Sequence, residues 1–348
     1  MSEVPRAGYA LASALREATT RLQAAGIDNG RSDAVTLAAH LLRSGCGEVE
    51  RLAILGAPTP TGFDDLVARR AQRVPLQHLT GRAAFRHLEL SVGPGVFVPR
   101  PETEVLVDLA LLALDALRAA TAASRPGSGP ARLVDLCTGS GAIALSVAHE
   151  RPATRVFAVE LSAQAHAFAR ANADRLGLDI DLRQGDATTA FDDLLGRVDV
   201  VVTNPPYIPD GAVPIDPEVA GHDPAVALYG GGDGLELPMR LIERAALLLR
   251  PGGVLLVEHG ELQGGDLRAR LQPSDPRDLS QTPAAQSGYG AATTWQDVHD
   301  HRDLTGRPRV LRAVRAREIM ERTAGEQDSG GLADEGASST RAAAAETC

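Results

Sequence analysis

The chain has no lysine: all 35 of its basic residues are arginine. Together with abundant alanine and glycine, this follows the codon usage of a GC-rich genome and is not a functional choice. Aromatic residues make up only 3%, too few for a surface that stacks successive bases. The three cysteines, Cys46, Cys137 and Cys348, are scattered and form no CxxC pair. That argues against a disulfide framework and against a Cys-rich zinc site. The N-terminus lacks a charged start followed by an apolar run, so it does not read as a signal peptide. The most apolar helical stretch, Leu106 to Leu117, is broken by Asp108 and Asp115 and is too short to span a bilayer. Positive charge is also scarce. With 45 acidic residues the formal net charge is −10, a poor match to a phosphate backbone. The expectation is a cytoplasmic monomer with no membrane contact and no direct nucleic-acid binding.

What is present fits a packed α/β protein. The 348 residues are 44% hydrophobic, enough for one large domain and a small one. Leu11, Leu15, Ala18 and Leu22 make one apolar helical stripe, and residues 35–42 and 63–74 have similar spacing. Residues 1–82 therefore read as a helical domain, with Arg69, Arg70 and Arg73 on a solvated helix face. Residues 83–98 read as a β-hairpin linker turning at Gly93-Pro94-Gly95. Residues 121–130 read as a loop.

From 131 onward strands alternate with helices. Strands are expected at 132–136, 155–160, 180–183, 198–203 and 253–258, and helices at 142–150, 162–177 and 235–250. That alternation predicts a mainly parallel sheet covered by helices on both faces. Two late strands, near 295–301 and 309–315, form an antiparallel edge hairpin. The large domain spans 99–316, residues 273–292 read as an exposed loop, and 317–348 as a disordered tail.

Two stretches carry chemistry. The first, LVDLCTGSGAI from Leu133 to Ile143, reads as a strand, a tight glycine turn and a helix start. Glycines let backbone approach a ligand, and a helix N-terminus offers free N–H groups. Asp135, Cys137, Thr138, Gly139, Ser140 and Gly141 are its candidate cofactor residues. Glu160 ends the next strand, where a carboxylate binds a ribose diol. Asp186 ends the third, where it accepts from an adenine amino group. Three acids disfavour a phosphate-rich ligand and suit S-adenosylmethionine, with its hydroxyls, ammonium and sulfonium. Glycines that serve packing alone are the bland alternative.

The second stretch is VVVTNPPYIP, Val200 to Pro209. Two prolines cannot donate to a sheet, so the strand stops there. It ends on the same carboxyl edge as the glycine loop. An NH₂ whose lone pair is delocalised into a carbonyl or ring needs acceptors that fix both its N–H bonds. Asn204 supplies one through its side chain and also borders the cofactor; Pro205 supplies another through its carbonyl. Pro206 stiffens the loop and Tyr207 packs on the flat acceptor. Catalysis is then mostly placement for in-line transfer. The bland alternative is a rigid turn.

Here the sequence resembles the PrmC/HemK family, protein-(glutamine-N5) methyltransferases that modify peptide-chain release factors. The resemblance covers about residues 8 to 315. It is carried by VFVPRPETE (Val96 to Glu104), DLCTGSG (Asp135 to Gly141), NPPYI (Asn204 to Ile208), GGVLLVEHG (Gly252 to Gly260) and RVPLQHLTG (Arg73 to Gly81). It implies a helical N-terminal domain and a class I, Rossmann-like methyltransferase domain with a mostly parallel seven-stranded sheet. It implies methyl transfer to the glutamine of the release-factor Gly-Gly-Gln tripeptide, with Phe97 and Arg100 near that glutamine. Cys137 stands where the family often has glycine, and Ala187 where some members carry an aromatic residue.

Outside that resemblance, Glu102 or Thr103 reads as a helix cap. Glu258-His259 lacks partner spacing for a metal and reads as a structural strand end. A DNA adenine-N6 methyltransferase shares the Asn-Pro-Pro-Tyr logic but conflicts with the charge. A ribosomal-protein glutamine methyltransferase has identical chemistry. A non-catalytic binder is a further class. A nicotinamide dehydrogenase lacks the third fingerprint glycine.

Overall fold

A computed structural model describes residues 10–124, 129–272 and 295–316, with side chains left undescribed from 121 to 124. The expected loop at 273–292 and the tail from 317 lie outside the described residues.

Five helices come first: α1 (Leu11–Ala24), α2 (Gly30–Leu42), α3 (Cys46–Ile54), α4 (Phe63–Ala71) and α5 (Leu76–Thr80). The α1 stripe is buried as its spacing predicts, with Leu11, Leu15 and Leu22 fully enclosed against Leu37, Val49 and Phe63. Each such leucine contributes about 2 kcal/mol of apolar burial. This core is distinct from the two cores that sandwich the sheet.

The hairpin pairs β1 (Arg82–Phe85) with β2 (Leu88–Ser91), so its turn is Arg86-His87 and not Gly93-Pro94-Gly95. Arg86 takes a left-handed φ of 51°. Its N–H donates to Glu104, and its guanidinium donates to both Glu150 oxygens and to Asp108. These bonds, and no turn-forming residue, hold the tight turn in place.

A 3-10 turn (Pro101–Thr103) then leads into α6 (Glu104–Ser124). The helix runs through residues 121–124, which the sequence reading assigned to a loop. Alanine-rich sequence carries no helix penalty, and the breakers Pro126 and Gly127 come only afterwards.

The sheet has seven strands: β3 (Arg132–Leu136), β4 (Arg155–Glu160), β5 (Asp181–Gln184), β6 (Val198–Thr203), β7 (Leu249–Glu258), β8 (Trp295–Arg302) and β9 (Pro308–Arg315). Their spatial order is β5-β4-β3-β6-β7-β9-β8, and β9 alone runs against the others, so its pairings with β7 and β8 are antiparallel and the rest are parallel. Val200, Val201 and Val202 are all fully buried, and alternate between the two apolar cores. A strand covered on both faces is apolar at nearly every position. β7 starts earlier than expected because Leu249 pairs with Val198 ahead of a register shift.

α6 packs on the sheet together with α7 (Ala142–Glu150), α8 (Ala163–Leu176), α10 (Glu236–Leu248) and α11 (Gly264–Leu271), and the short α9 (Pro217–His222) follows β6. Of these, α9 and α11 had no sequence expectation, although Leu267 and Leu271 bury at helical spacing.

Only Arg69 of the expected arginine face is solvated. Arg70 is 6% exposed. Its Nε donates to Asp33 at 2.7 Å and a terminal nitrogen lies 2.8 Å from Glu218. Arg73 reaches the same Glu218 at 3.1 Å. These arginines tie α2 and α4 to α9, which forms part of the wall of the main cleft.

Candidate active site

The strand order reverses between β3 and β6, and the crevice beyond that point is where open α/β sheets bind ligands. A cleft of about 850 Å³ opens there. Thr203 pairs with Leu136 and donates its hydroxyl hydrogen to the Leu136 carbonyl at 2.7 Å. The glycine loop and the Asn-Pro-Pro-Tyr loop therefore leave the sheet side by side.

One half of the cleft is lined by Cys137, Thr138, Gly139, Ser140, Glu160 and Asp186, together with Leu161, Ser162, Ala165 and Ala187. Glu160 accepts from the Gly139 N–H and the Ser162 N–H, both at 2.8 Å. Its carboxylate thus clasps the glycine loop and still has lone pairs for a diol. Asp186 accepts from the Thr188 N–H and hydroxyl, and the backbone bond leads in holding its carboxyl below the usual range. It is ionised and able to accept from an amino group. None of the ten residues named in this half is basic. The walls therefore fit a ligand with hydroxyl, amino and cationic groups and do not fit one rich in phosphate.

Two predicted residues stand behind this wall. Gly141 takes a φ of 87° at the start of α7, and a Cβ there would press on Leu145. Its role is to let the chain turn. Asp135 is fully buried. One of its oxygens accepts from the Thr138 hydroxyl at 2.6 Å and from the Ala144 N–H at 3.2 Å; the other has no partner among the described residues. Asp135 therefore braces the loop from beneath. Burial pushes its carboxyl up to about 7.

A raised acid favours the fold below its unfolded value of 3.8 and loses that contribution as pH climbs to about 7. Asp135→Asn keeps an acceptor for Thr138 without the charge. Between pH 5 and 6.5 the stability difference between variant and wild type should move in the variant's favour by about 2 kcal/mol, read by urea unfolding. A constant difference would contradict the assignment.

Cys137 has a φ of 67°. That left-handed backbone is one glycine adopts freely, which accounts for the glycine that the family often carries there. Its thiol is pushed up by burial and by the nearby Glu160 and Asp135 carboxyls. Ala187 is buried in the core beneath the cleft.

The other half of the cleft holds Asn204, Pro205, Pro206, Tyr207, Phe97 and Arg100. The Asn204 side-chain nitrogen donates to the Thr103 hydroxyl oxygen at 3.3 Å, so Thr103 serves the site beyond any capping role. Tyr207 lies against Arg309 and Glu258, and burial pushes its phenol up to about 12, so it is neutral. Arg100 stacks over the Phe97 ring at 5.3 Å and pairs with Asp223 at 3.0 Å. The last pair locks the segment after β6 against the Pro-Arg-Pro stretch.

Sequence reasoning did not find the residues that hold the proline loop. Gln263 donates to the Tyr207 carbonyl at 2.8 Å and accepts from the Gly260 N–H. A Cβ at Gly234, where φ is 75°, would collide with the Tyr207 carbonyl. The run of glycines at 230–232 and Gly234 was the available signal. Arg309 reaches the cleft from β9, a contact that no local motif encodes. Glu258, read as a structural strand end, lines the cleft at 3% exposure. Among the described residues, no group of three or more His, Cys, Asp or Glu could hold a metal, and no helix is long and apolar enough to cross a membrane.

Comparison with known proteins identifies the family. Residues 13–81 match the family described as PrmC N-terminal domain, and 112–216 match Methyltransferase small domain. The release factor glutamine methyltransferase of Streptomyces coelicolor is 47% identical, over 88% of this chain and 98% of the relative. That of Mycolicibacterium smegmatis is 44% identical with the same coverage. A 4-amino-L-phenylalanine/4-methylamino-L-phenylalanine methyltransferase of Streptomyces pristinaespiralis is 45% identical over 73% of this chain and 84% of the relative. With this sheet order, this cleft and full-length relatives of that identity, the chain belongs to the release factor glutamine methyltransferases.

Proposed function

We propose that the protein transfers a methyl group from S-adenosyl-L-methionine to the side-chain amide nitrogen, N5, of the glutamine in the release-factor Gly-Gly-Gln tripeptide. The observation that carries this is the placement of Asn204 to Tyr207 beside the glycine loop, in one cleft with Glu160 and Asp186. The methyl donor is S-adenosylmethionine. Glu160 takes its ribose hydroxyls, Asp186 its adenine amino group, and residues 137–140 its amino-acid end. When bound, it supplies an electrophilic methyl group.

The protein's own residues then do the placing. The Asn204 side-chain oxygen and the Pro205 carbonyl each accept one N–H of the glutamine amide, and this holds the nitrogen in line. Tyr207 and Phe97 bound the amide plane, and Arg100 holds the wall through Asp223. The partner is a protein, and the monomer makes no nucleic-acid contact.

Glu160→Gln should weaken S-adenosylmethionine binding about tenfold, since one charge-assisted acceptor is lost. Calorimetry reads this directly, and unchanged affinity would remove the ribose role.

A second reading is favoured by the 4-amino-L-phenylalanine methyltransferase relative. An arylamine nitrogen also has a delocalised lone pair and two N–H bonds. The deciding experiment is transfer of labelled methyl to release factor, with a Gln→Ala change in its Gly-Gly-Gln as control. Ribosomal proteins, duplex DNA and 4-aminophenylalanine are tested in parallel. Label on release factor that disappears in the control supports the first reading; label on another acceptor alone overturns it.

A further inference from the structure

Thr103, Asn204 and Glu258 come from three separate elements and converge at the acceptor end of the cleft. On parallel β6 and β7, Thr203 pairs with Val257, so Asn204 and Glu258 follow side by side. Glu258 is 3% exposed and Thr103 is 4% exposed. The Asn204 side-chain nitrogen donates to the Thr103 hydroxyl oxygen at 3.3 Å, and both side chains sit beside the Glu258 carboxyl and favour its charged form. Glu258 Oε2 is buried with no partner among the described residues. It is an acid enclosed at the substrate end of the cleft that the reaction scheme does not use.

The hydrogen count makes this arrangement directional. An ionised carboxylate only accepts, and a hydroxyl has one hydrogen to give. With Glu258 ionised, Thr103 gives that hydrogen to Glu258 and its oxygen receives the Asn204 N–H. The Asn204 NH₂ is then held toward Thr103 and Glu258, and its Oδ1 faces the cleft. Only that orientation offers an acceptor to the glutamine N–H. A protonated Glu258 is itself a donor and competes for Thr103 Oγ1 or Asn204 Oδ1, so the orientation is no longer enforced.

We propose that Glu258 is a positioning residue that, through Thr103, sets which way round the Asn204 carboxamide faces. This rests on the reading of Asn204 as the acceptor clamp. Three other groups face Glu258: Glu102 from the 3-10 turn, Arg309 from β9 and the neutral phenol of Tyr207. Burial pushes the Glu258 carboxyl up to about 7. The Thr103 and Asn204 hydrogen bonds and the Arg309 charge oppose the rise, and Glu102 adds to it. The switch between the two hydrogen-bond patterns therefore falls near neutral pH.

The test has two readouts. In wild type, kcat for release-factor methylation should fall about tenfold from pH 8 to pH 6, following loss of the carboxylate. Glu258→Gln should give a flat profile, with kcat at pH 8 about tenfold reduced and S-adenosylmethionine affinity unchanged. Thr103→Val, which leaves the carboxylate in place, should lower kcat similarly. Independently of any substrate, the Asn204 side-chain NH₂ resonances, assigned by their loss in Asn204→Asp, should titrate near pH 7 in wild type and not in Glu258→Gln. A pH limb that survives in Glu258→Gln, or Asn204 resonances indifferent to pH, would overturn the proposal. Titrating Asn204 resonances without methylation of release factor would support the positioning role and overturn the substrate reading instead.

Discussion

Asn204→Ala is expected to lower kcat for glutamine methylation by about 10²–10³-fold, the range found when one preorganised polar contact to a reacting group is removed. Affinity for S-adenosylmethionine should stay within about twofold, because Glu160 and Asp186 carry that half of the cleft. The large effect follows from the poor nucleophilicity of a carboxamide nitrogen. Rate comes from holding both N–H bonds so that the nitrogen lies on the line of transfer, and alanine removes one of the two acceptors. Asn204→Asp separates placement from shape. It keeps an acceptor oxygen but no longer donates to Thr103, and it sets a second carboxyl beside Glu258. Its turnover should fall between alanine and wild type, and decline further as pH rises and both acids ionise. Single-turnover transfer with calorimetry on the same samples measures rate and affinity apart. Unaltered turnover in Asn204→Ala would remove Asn204 from the reaction.

Arg70→Ala should destabilise the protein by about 3–5 kcal/mol, the cost of leaving the buried Asp33 carboxylate without its partner and Glu218 with Arg73 alone. The side chains of Asp33 and Glu218 are 10% and 14% exposed, so solvent does little to replace the arginine. A second consequence is local. Glu218 lies in α9, whose Val219 lines the cleft together with Val213 and Ile215 just before it. Loosening that segment should raise KM for the acceptor protein while S-adenosylmethionine affinity holds. Replacing Arg70 and Asp33 together with apolar residues of similar volume should recover most of the stability, since Glu218 keeps Arg73 and no buried charge is then left unpaired. Urea unfolding separates the cases; an Arg70→Ala midpoint equal to wild type would show that the buried pairing contributes nothing.

The sheet was legible because its signals are local. β3, β4 and β6 are mostly apolar runs, each closed by a polar or proline-bearing stop, and their limits match the expectation. The hairpin turn was not legible, since Arg86 holds its left-handed backbone through bonds to Glu104, Asp108 and Glu150, far along the chain. The same reason hid the burial of Arg70, whose partners lie in α2 and α9. At the site, the glycine loop and the Asn-Pro-Pro-Tyr loop could be read directly, and the cleft contains most of both. Asp135 was read as a wall residue because its position beside the glycines says nothing of depth. Glu258 looked inert because its neighbours Thr103 and Asn204 come from distant segments, and Gln263 and Arg309 likewise act across the fold.

The place of β9 has a bearing on synthesis. It is the last strand among the described residues, yet it lies between β7 and β8, pairing Val310 with Glu258 and delivering Arg309 to the cleft. While a nascent chain still has residues 308–315 inside the ribosomal tunnel, β7 is an open edge and Glu258 has no neighbour on that side. The glycine loop can already be formed at that stage, but the acceptor end cannot. Cofactor affinity should therefore emerge before methyl transfer during translation, and an incomplete chain ending before Pro308 would hold the donor without a finished place to use it.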